Sequence, residues 1–305
     1  MELIELRCGT LRAVINPHGA ACISLRDESL GLSALREPCY ERGVDNPFLY
    51  GIPLLWPQNR IEGGEFEFEG RTYRYPLNEP KTGCHLHGEL YDTDFTVLEQ
   101  SESLVSLGLT REPREGFPHG YSVVVKYALE DGLLLHRVRI INLSDENMPS
   151  FFGLHTTFNV PFVKGSSPED VTLCCQVGDL VEREMTRYLP TGRLLPPDAI
   201  TESLVRGDFP PLSEVVSRHY RAAGDGIMRL TDKRAGAELI YEIDENLPYR
   251  LIYNGAADEY VCLEPLSSMA NCQRGPFSRE ESGFGFVQPR SHIEYVMKIH
   301  VRRII

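Results

Sequence analysis

Four short segments place polar side chains where a strand pattern calls for apolar ones, and each carries a residue type suited to acid–base or hydroxyl-binding chemistry. In Val261-Cys262-Leu263-Glu264-Pro265-Leu266 a carboxylate ends an apolar run, and Pro265 restricts the residue before it to extended backbone. A carboxylate buried in such a run is paired, protonated or functional. In Phe151-Phe152-Gly153-Leu154-His155-Thr156-Thr157-Phe158-Asn159-Val160 an imidazole sits inside an aromatic-rich segment. It is either a core histidine with its hydrogen bonds satisfied or a proton donor and acceptor. In Gly51-Ile52-Pro53-Leu54-Leu55-Trp56-Pro57-Gln58-Asn59-Arg60-Ile61 an Asn-Arg pair follows an apolar run bracketed by prolines. A guanidinium there presents fixed donors to hydroxyl oxygens, unless it is a surface group at a strand end. The fourth segment, Cys84-His85-Leu86-His87-Gly88, has an H-x-H spacing that can bind a metal. Such a site needs a third ligand and a supporting carboxylate, and nothing nearby in the sequence supplies either. The expectation is therefore no metal, with structural or substrate-binding histidines.

The elements that must position these residues read as strands. Period-2 alternation runs through Glu65–Tyr75 around a Glu-Gly turn, and through Tyr121–Tyr127 and Leu133–Ile141 around Asp131-Gly132. Ile4–Arg7 with Leu11–Ile15 repeats the theme, and Ala237–Ile243 with Tyr249–Tyr253 reads as a further pair. His292–Val301 adds a C-terminal strand rich in β-branched and aromatic residues. Helical periodicity is confined to stretches such as Leu212–Tyr220, which predicts a turn or two of helix. The Pro-, Ser- and Gly-rich segments 162–170 and 190–211 read as long loops. The expected architecture is all-β, a large antiparallel sandwich or barrel in a single domain over residues 1–305.

Composition narrows the function classes. Hydrophobic residues make up 42% and charged residues 25% of the 305, as in an ordinary globular protein. The formal net charge of −13 repels phosphate backbones, which argues against a general nucleic-acid or anionic-membrane binder. No apolar stretch reaches the roughly 18 residues of a membrane span. The opening Met-Glu-Leu-Ile-Glu has no basic patch ahead of an apolar run, so no secretory signal is expected. Eight cysteines with no C-x-x-C pair predict reduced thiols and a cytoplasmic location.

Taken in order, the four segments resemble the signature segments of the aldose 1-epimerase (galactose mutarotase) family. Asn59-Arg60-Ile61 resembles its N-R-I segment, and Leu86-His87-Gly88 its L-H-G segment, with 27 residues from Arg60 to His87. Gly153 to Asn159 resembles G-x-H-P-Y-F-N, and Cys262-Leu263-Glu264-Pro265 resembles C-x-E-P. Pro190-Thr191-Gly192 resembles a P-T-G turn, so the likeness covers nearly the whole chain. The resemblance implies a β-supersandwich that interconverts the α and β anomers of a free sugar without a cofactor. It implies Glu264 as base and His155 as acid, the first ionised and the second protonated at the start. Asn59, Arg60 and His87 would hold the sugar hydroxyls and ring oxygen, with Trp56, Phe158 or Tyr253 as an aromatic wall unless these are core. The implied partner is a small-molecule sugar, with no nucleic acid or membrane, for a monomer or homodimer.

Three departures bear on the choice of sugar. The family's sugar-gripping Asp falls in a region that reads Ser217-Arg218-His219-Tyr220, with Asp208 and Asp225 only as neighbours. Its Gln becomes Leu251, and the Pro after the catalytic His becomes Thr156. Proton-transfer residues are kept while recognition residues change, so the preferred sugar is expected to differ from galactose or glucose. Arg218, Arg221, Arg274 and Arg279 leave a phosphorylated sugar open. The alternative from another class is a non-catalytic carbohydrate-binding or sensing protein on the same fold.

Overall fold

The computed structural model describes residues 2–39, 44 and 46–304. Strands that alternate apolar and polar residues must bury one face, and here two eight-stranded antiparallel sheets and a four-stranded meander do so together. The meander runs Ile4–Cys8, Leu11–Asn16, Ala21–Asp27 and Leu32–Ser33 in chain order. The first large sheet has Tyr121–Glu130, Leu133–Asn142 and His292–Arg303 at its centre. In Tyr121–Glu130 buried and part-exposed residues alternate along nearly the whole strand, as its sequence pattern requires. The second sheet carries, in spatial order, Pro190–Leu195, Val177–Arg183, Ser217–Ala222, Tyr249–Tyr253 and Tyr260–Leu266. Gly153–Leu154 and Thr156–Asn159 both pair with Tyr260–Leu266 at its far side.

The inner faces of the sheets meet through aromatic rings. Phe152 stacks on Tyr295 at 4.6 Å, and Phe158 meets Tyr241 edge-on at 5.7 Å. A hydrogen bond of 2.8 Å between Thr156 Oγ1 and the Tyr241 hydroxyl satisfies two polar groups in that layer. One apolar cluster runs through all three sheets, from Leu6 and Ala13 to Val125, Ile299 and Leu263. All eight cysteines are free thiols. No helix among the described residues is long and apolar enough to cross a membrane.

The all-β reading and the two expected hairpins hold, but four local expectations do not. Ala237–Ile243 and Tyr249–Tyr253 are both strands, yet they are not partners. The first pairs with Met228–Asp232 and His292–Arg303 in one sheet, the second with Ser217–Ala222 and Tyr260–Leu266 in the other. The Asp-Glu-Asn-Leu-Pro connection carries the chain between sheets, because each strand finds its apolar face covered only there. The single longer helix, Ala199–Arg206, lies inside the segment read as loop. Asp198 caps it by accepting from the Thr201 amide at 3.0 Å, and Gly207, at φ 82, ends it. Leu212–Tyr220 is not helical; it leads into the strand Ser217–Ala222, held in place by pairing on both sides. Likewise Pro190-Thr191-Gly192 opens the strand Pro190–Leu195 rather than forming a free turn.

Candidate active site

The strand Tyr260–Leu266 is buried on both faces, and its period-2 alternation sorts the residues. Val261 and Leu263 join the core between the sheets, while Leu266 joins a smaller apolar cluster with Leu251 and Val181 on the outer side. Glu264 falls in phase with Leu266, so its carboxyl emerges on that outer face, opposite Leu251. The neighbouring strands extend the same rows. His219 faces Leu251 and Val181, while Ser217 faces Tyr253, whose partner is Cys262. Two residues beyond Val181, Arg183 takes its place beside Ser217 in that second row.

His155 reaches this face from the opposite edge. Gly153 pairs with Leu266, and a Cβ there would lie 2.5 Å from the Leu266 side chain. Only glycine permits that approach without displacing Leu266, and the approach brings His155 alongside Glu264. His155 Nε2 lies 3.3 Å from Glu264 Oε1, and both side chains are almost wholly buried. His87 and Asn59 hold left-handed backbone, at φ 64 and 57. Such conformations are uncommon outside glycine, with Asn and His among the residue types that adopt them most readily, and they persist where surrounding structure enforces them. Gly88 is the enforcing element next to His87: a Cβ there would sit 1.9 Å from the Trp56 carbonyl oxygen.

The structure brings all five residues singled out in the sequence, Asn59, Arg60, His87, His155 and Glu264, to the wall of one cavity of about 370 Å³. That volume is at the small end of ligand sites and suits a monosaccharide-sized molecule. Phe48 packs against His87 at 4.5 Å and His155 at 6.2 Å, and the two imidazoles meet edge-on at 5.6 Å. Arg60 is fixed by a bidentate pair with Glu79, both contacts 2.7 Å, and lies against the Tyr188 ring at 4.8 Å. Asn59 Oδ1 accepts from the Arg60 amide at 2.9 Å. Of the three aromatic residues offered as a wall, Tyr253 lines the cavity. Trp56 and Phe158 are core: Trp56 donates to Ser150 Oγ and meets Tyr121 edge-on at 4.7 Å.

The expected starting charges need correction. Burial pushes the Glu264 carboxyl up to about 8 and the His155 imidazole down to about 4. The pair therefore favours a protonated Glu264 and a neutral His155. The pair holds one proton in this form, the same number as the ion pair, and the two forms differ only in where along the 3.3 Å contact it sits. The guanidinium groups of Arg183 and Arg60 oppose burial and favour the ionised carboxylate. His87 is held neutral chiefly by burial.

The H-x-H pair does not act together. The strand Cys84–Leu86 ends before His87, whose left-handed backbone breaks the alternation. His85 Nδ1 bonds the Pro76 carbonyl at 2.8 Å and packs on Tyr75, away from the cavity. Among the described residues no group of three or more His, Cys, Asp or Glu is placed to hold a metal.

Sequence reasoning missed Arg183, Ser217 and Tyr188 as cavity residues. Arg183 had a signal: it continues the buried phase of Val177 and Val181 at the end of its strand. Tyr188 had none, since its φ of 59 is visible only in three dimensions. Neither Asp208 nor Asp225 lines the cavity.

The fold that carries this His–Glu pair, two large antiparallel sheets joined by a meander, is one that known proteins share. The aldose 1-epimerase family model matches residues 2–289, and the chain belongs to that family. It is 26% identical over 223 residues to the uncharacterized protein YphB of Escherichia coli, spanning 71% of this chain and 72% of that protein. To protein LacX of Lactococcus lactis it is 25% identical over 288 residues, 88% of each. A crystal structure of a galactose mutarotase-like protein from Clostridium acetobutylicum superposes with a TM-score of 0.93 at 26% identity, covering 99% of this chain and 95% of that one.

Proposed function

We propose that this protein is a cofactor-independent mutarotase that interconverts the α and β anomers of a free aldose or aldose derivative. The observation that carries this reading is the 3.3 Å contact between His155 Nε2 and Glu264 Oε1 inside a cavity also lined by Asn59, Arg60 and His87. Ring opening requires one proton to leave the anomeric hydroxyl and one to reach the ring oxygen. The C1–ring oxygen bond then breaks, C1 becomes an aldehyde, rotation exposes its other face, and closure returns both protons.

Moving the shared proton from Glu264 to His155 prepares the pair for this exchange. Glu264 then takes the hydroxyl proton and His155 delivers one to the ring oxygen; on closure the roles reverse. Arg60, locked by Glu79, and neutral His87 offer donors to the sugar oxygens and offset charge developing on the ring oxygen. Since the pair begins and ends with one proton, no net proton is taken from solvent.

The test is anomer exchange, followed by NMR or polarimetry over a panel of neutral, acidic and phosphorylated aldoses. Glu264→Gln and His155→Ala are each expected to lose about 10²–10⁴-fold in rate. Acceleration that survives in both variants overturns the assignment. A sugar that binds the wild-type protein without faster exchange makes the protein a carbohydrate-binding module instead.

A further inference from the structure

The charges around the cavity do not cancel. Arg60 is neutralised by Glu79, and Glu264 and His155 share a single proton and together carry none in excess. His87 is neutral. The remaining charged group on the cavity wall is Arg183, and no carboxylate among the described residues lies within 4.0 Å of its guanidinium. Arg183 is only 9% exposed, and what holds it is Nη2, which donates to the Ser217 carbonyl at 2.6 Å and to Ser217 Oγ at 3.0 Å. Burial, with the neighbouring Arg60 guanidinium, lowers its affinity for the proton to about 10, against an opposing pull from Glu264.

A buried cation without an anion is costly, and proteins with such groups pair them, coordinate them or use them on a ligand. The chain as a whole carries −13 and pairs many of its other arginines with carboxylates. Buried Arg250, also without a carboxylate, instead spends its donors on the Leu247, Tyr249 and Gly226 carbonyls and lines no part of this cavity. Arg218, one of the arginines the sequence left open for phosphate, is tied to Asp198 and does not line this cavity. Arg221, Arg274 and Arg279 do not line it either. The strand holding Arg183 lies three positions from that of Glu264 in the sheet, about 14 Å between backbones at roughly 4.8 Å per step. Arg183 therefore enters the cavity from a strand well removed from that of the reacting pair, although its guanidinium still acts on the Glu264 charge.

Resting on the mutarotase reading of the same site, we infer that the substrate is an aldose bearing one anionic substituent, a carboxylate or a phosphate, bound by Arg183 and Ser217. A guanidinium already fixed at one nitrogen by Ser217 keeps its remaining donors for a planar or tetrahedral oxyanion. Two such oxyanions share this chemistry, so the experiment separates them.

Glucose, glucuronate and glucose 6-phosphate, with their galactose counterparts, are titrated against wild-type protein, and both binding and anomer exchange are read by NMR. In at least one series an anionic member is expected to bind about tenfold tighter than its neutral parent. Arg183→Met is expected to remove that preference in binding, with a much smaller effect on binding of the neutral sugar. Arg183→Lys, which keeps the charge and loses the fork, should retain part of it. Whichever of uronate and phosphate shows the preference names the substituent. Equal or better binding of the neutral sugars in both series overturns the inference, as does an equal loss of neutral and anionic sugars in Arg183→Met, which would make Arg183 a positioning group for Glu264. Should Arg183→Met fail to fold, the wild-type preference and Arg183→Lys still decide. Arg183-dependent binding of an anionic sugar without exchange leaves the inference standing and removes the mutarotase reading. Fast exchange with no preference for charge does the reverse.

Discussion

Glu264 illustrates how a functional carboxyl costs stability. In the unfolded chain it titrates near 4.5, and in the fold burial holds it protonated up to about 8. Between those values the unfolded state releases a proton that the folded state keeps, so stability falls as pH rises through that window and levels off above it. At pH 7 the cost is on the order of 2–3 kcal/mol. Glu264→Gln keeps the shape and removes the titration. Chemical denaturation at several pH values is expected to find this variant more stable than wild type by roughly 2–4 kcal/mol at pH 7.5, and nearly equal at pH 4.5. Equal stability at pH 7.5 would mean that the folded carboxyl has already released its proton there. The type and spacing of Glu264, His155, Arg60, Asn59 and His87 were legible in the sequence because each interrupts an apolar pattern. Their charge states were not, because burial sets them.

At the scale of the element, glycines decide where the side chains point. Gly88 has φ 67, and its missing Cβ leaves room for the Trp56 carbonyl oxygen at 1.9 Å. Gly88→Ala must therefore move one of two backbones, and His87 lies on the moving side. We expect a loss of about 2–4 kcal/mol in chemical denaturation together with weakened sugar binding. Unchanged stability would show that the Trp56–Gly88 contact is slack. The hairpins around Asp131-Gly132 and Glu69-Gly70 were predictable because two-residue turns and alternation are local signals. The partners of Ala237–Ile243 and Tyr249–Tyr253 were not, since a strand's alternation says that it has a buried face and leaves open which sheet covers it.

For the whole molecule, the buried histidines set the acid limit. His136, stacked on Tyr127 at 4.3 Å, and His219 are pushed down to about 3, His155 to about 4, and His87 well below its usual range, all by burial. Each stays neutral in the fold and takes a proton on unfolding below its unfolded value of 6.5, so the stability it contributes is present above 6.5 and lost as pH falls. Each is worth about 1.4 kcal/mol per pH unit. Glu264 works the other way between 4.5 and 8, which leaves a net uptake of about three protons on unfolding near pH 5.5. The slope of denaturation free energy against pH between 5 and 6 measures that number, and a flat slope would mean that these imidazoles are already charged in the fold.

By itself the sequence determined the all-β class, most strand positions and the four segments that meet at the site. Alternation, turn chemistry and polar interruptions act over a few residues and are written in local order. Tertiary structure alone decided that Glu264 and His155 face one another on the outer side of one sheet, and that Arg183 closes the cavity from three strands away. Those facts depend on which strands pair and which face each buries, and pairing is settled by the complementary surfaces of the assembled sheets.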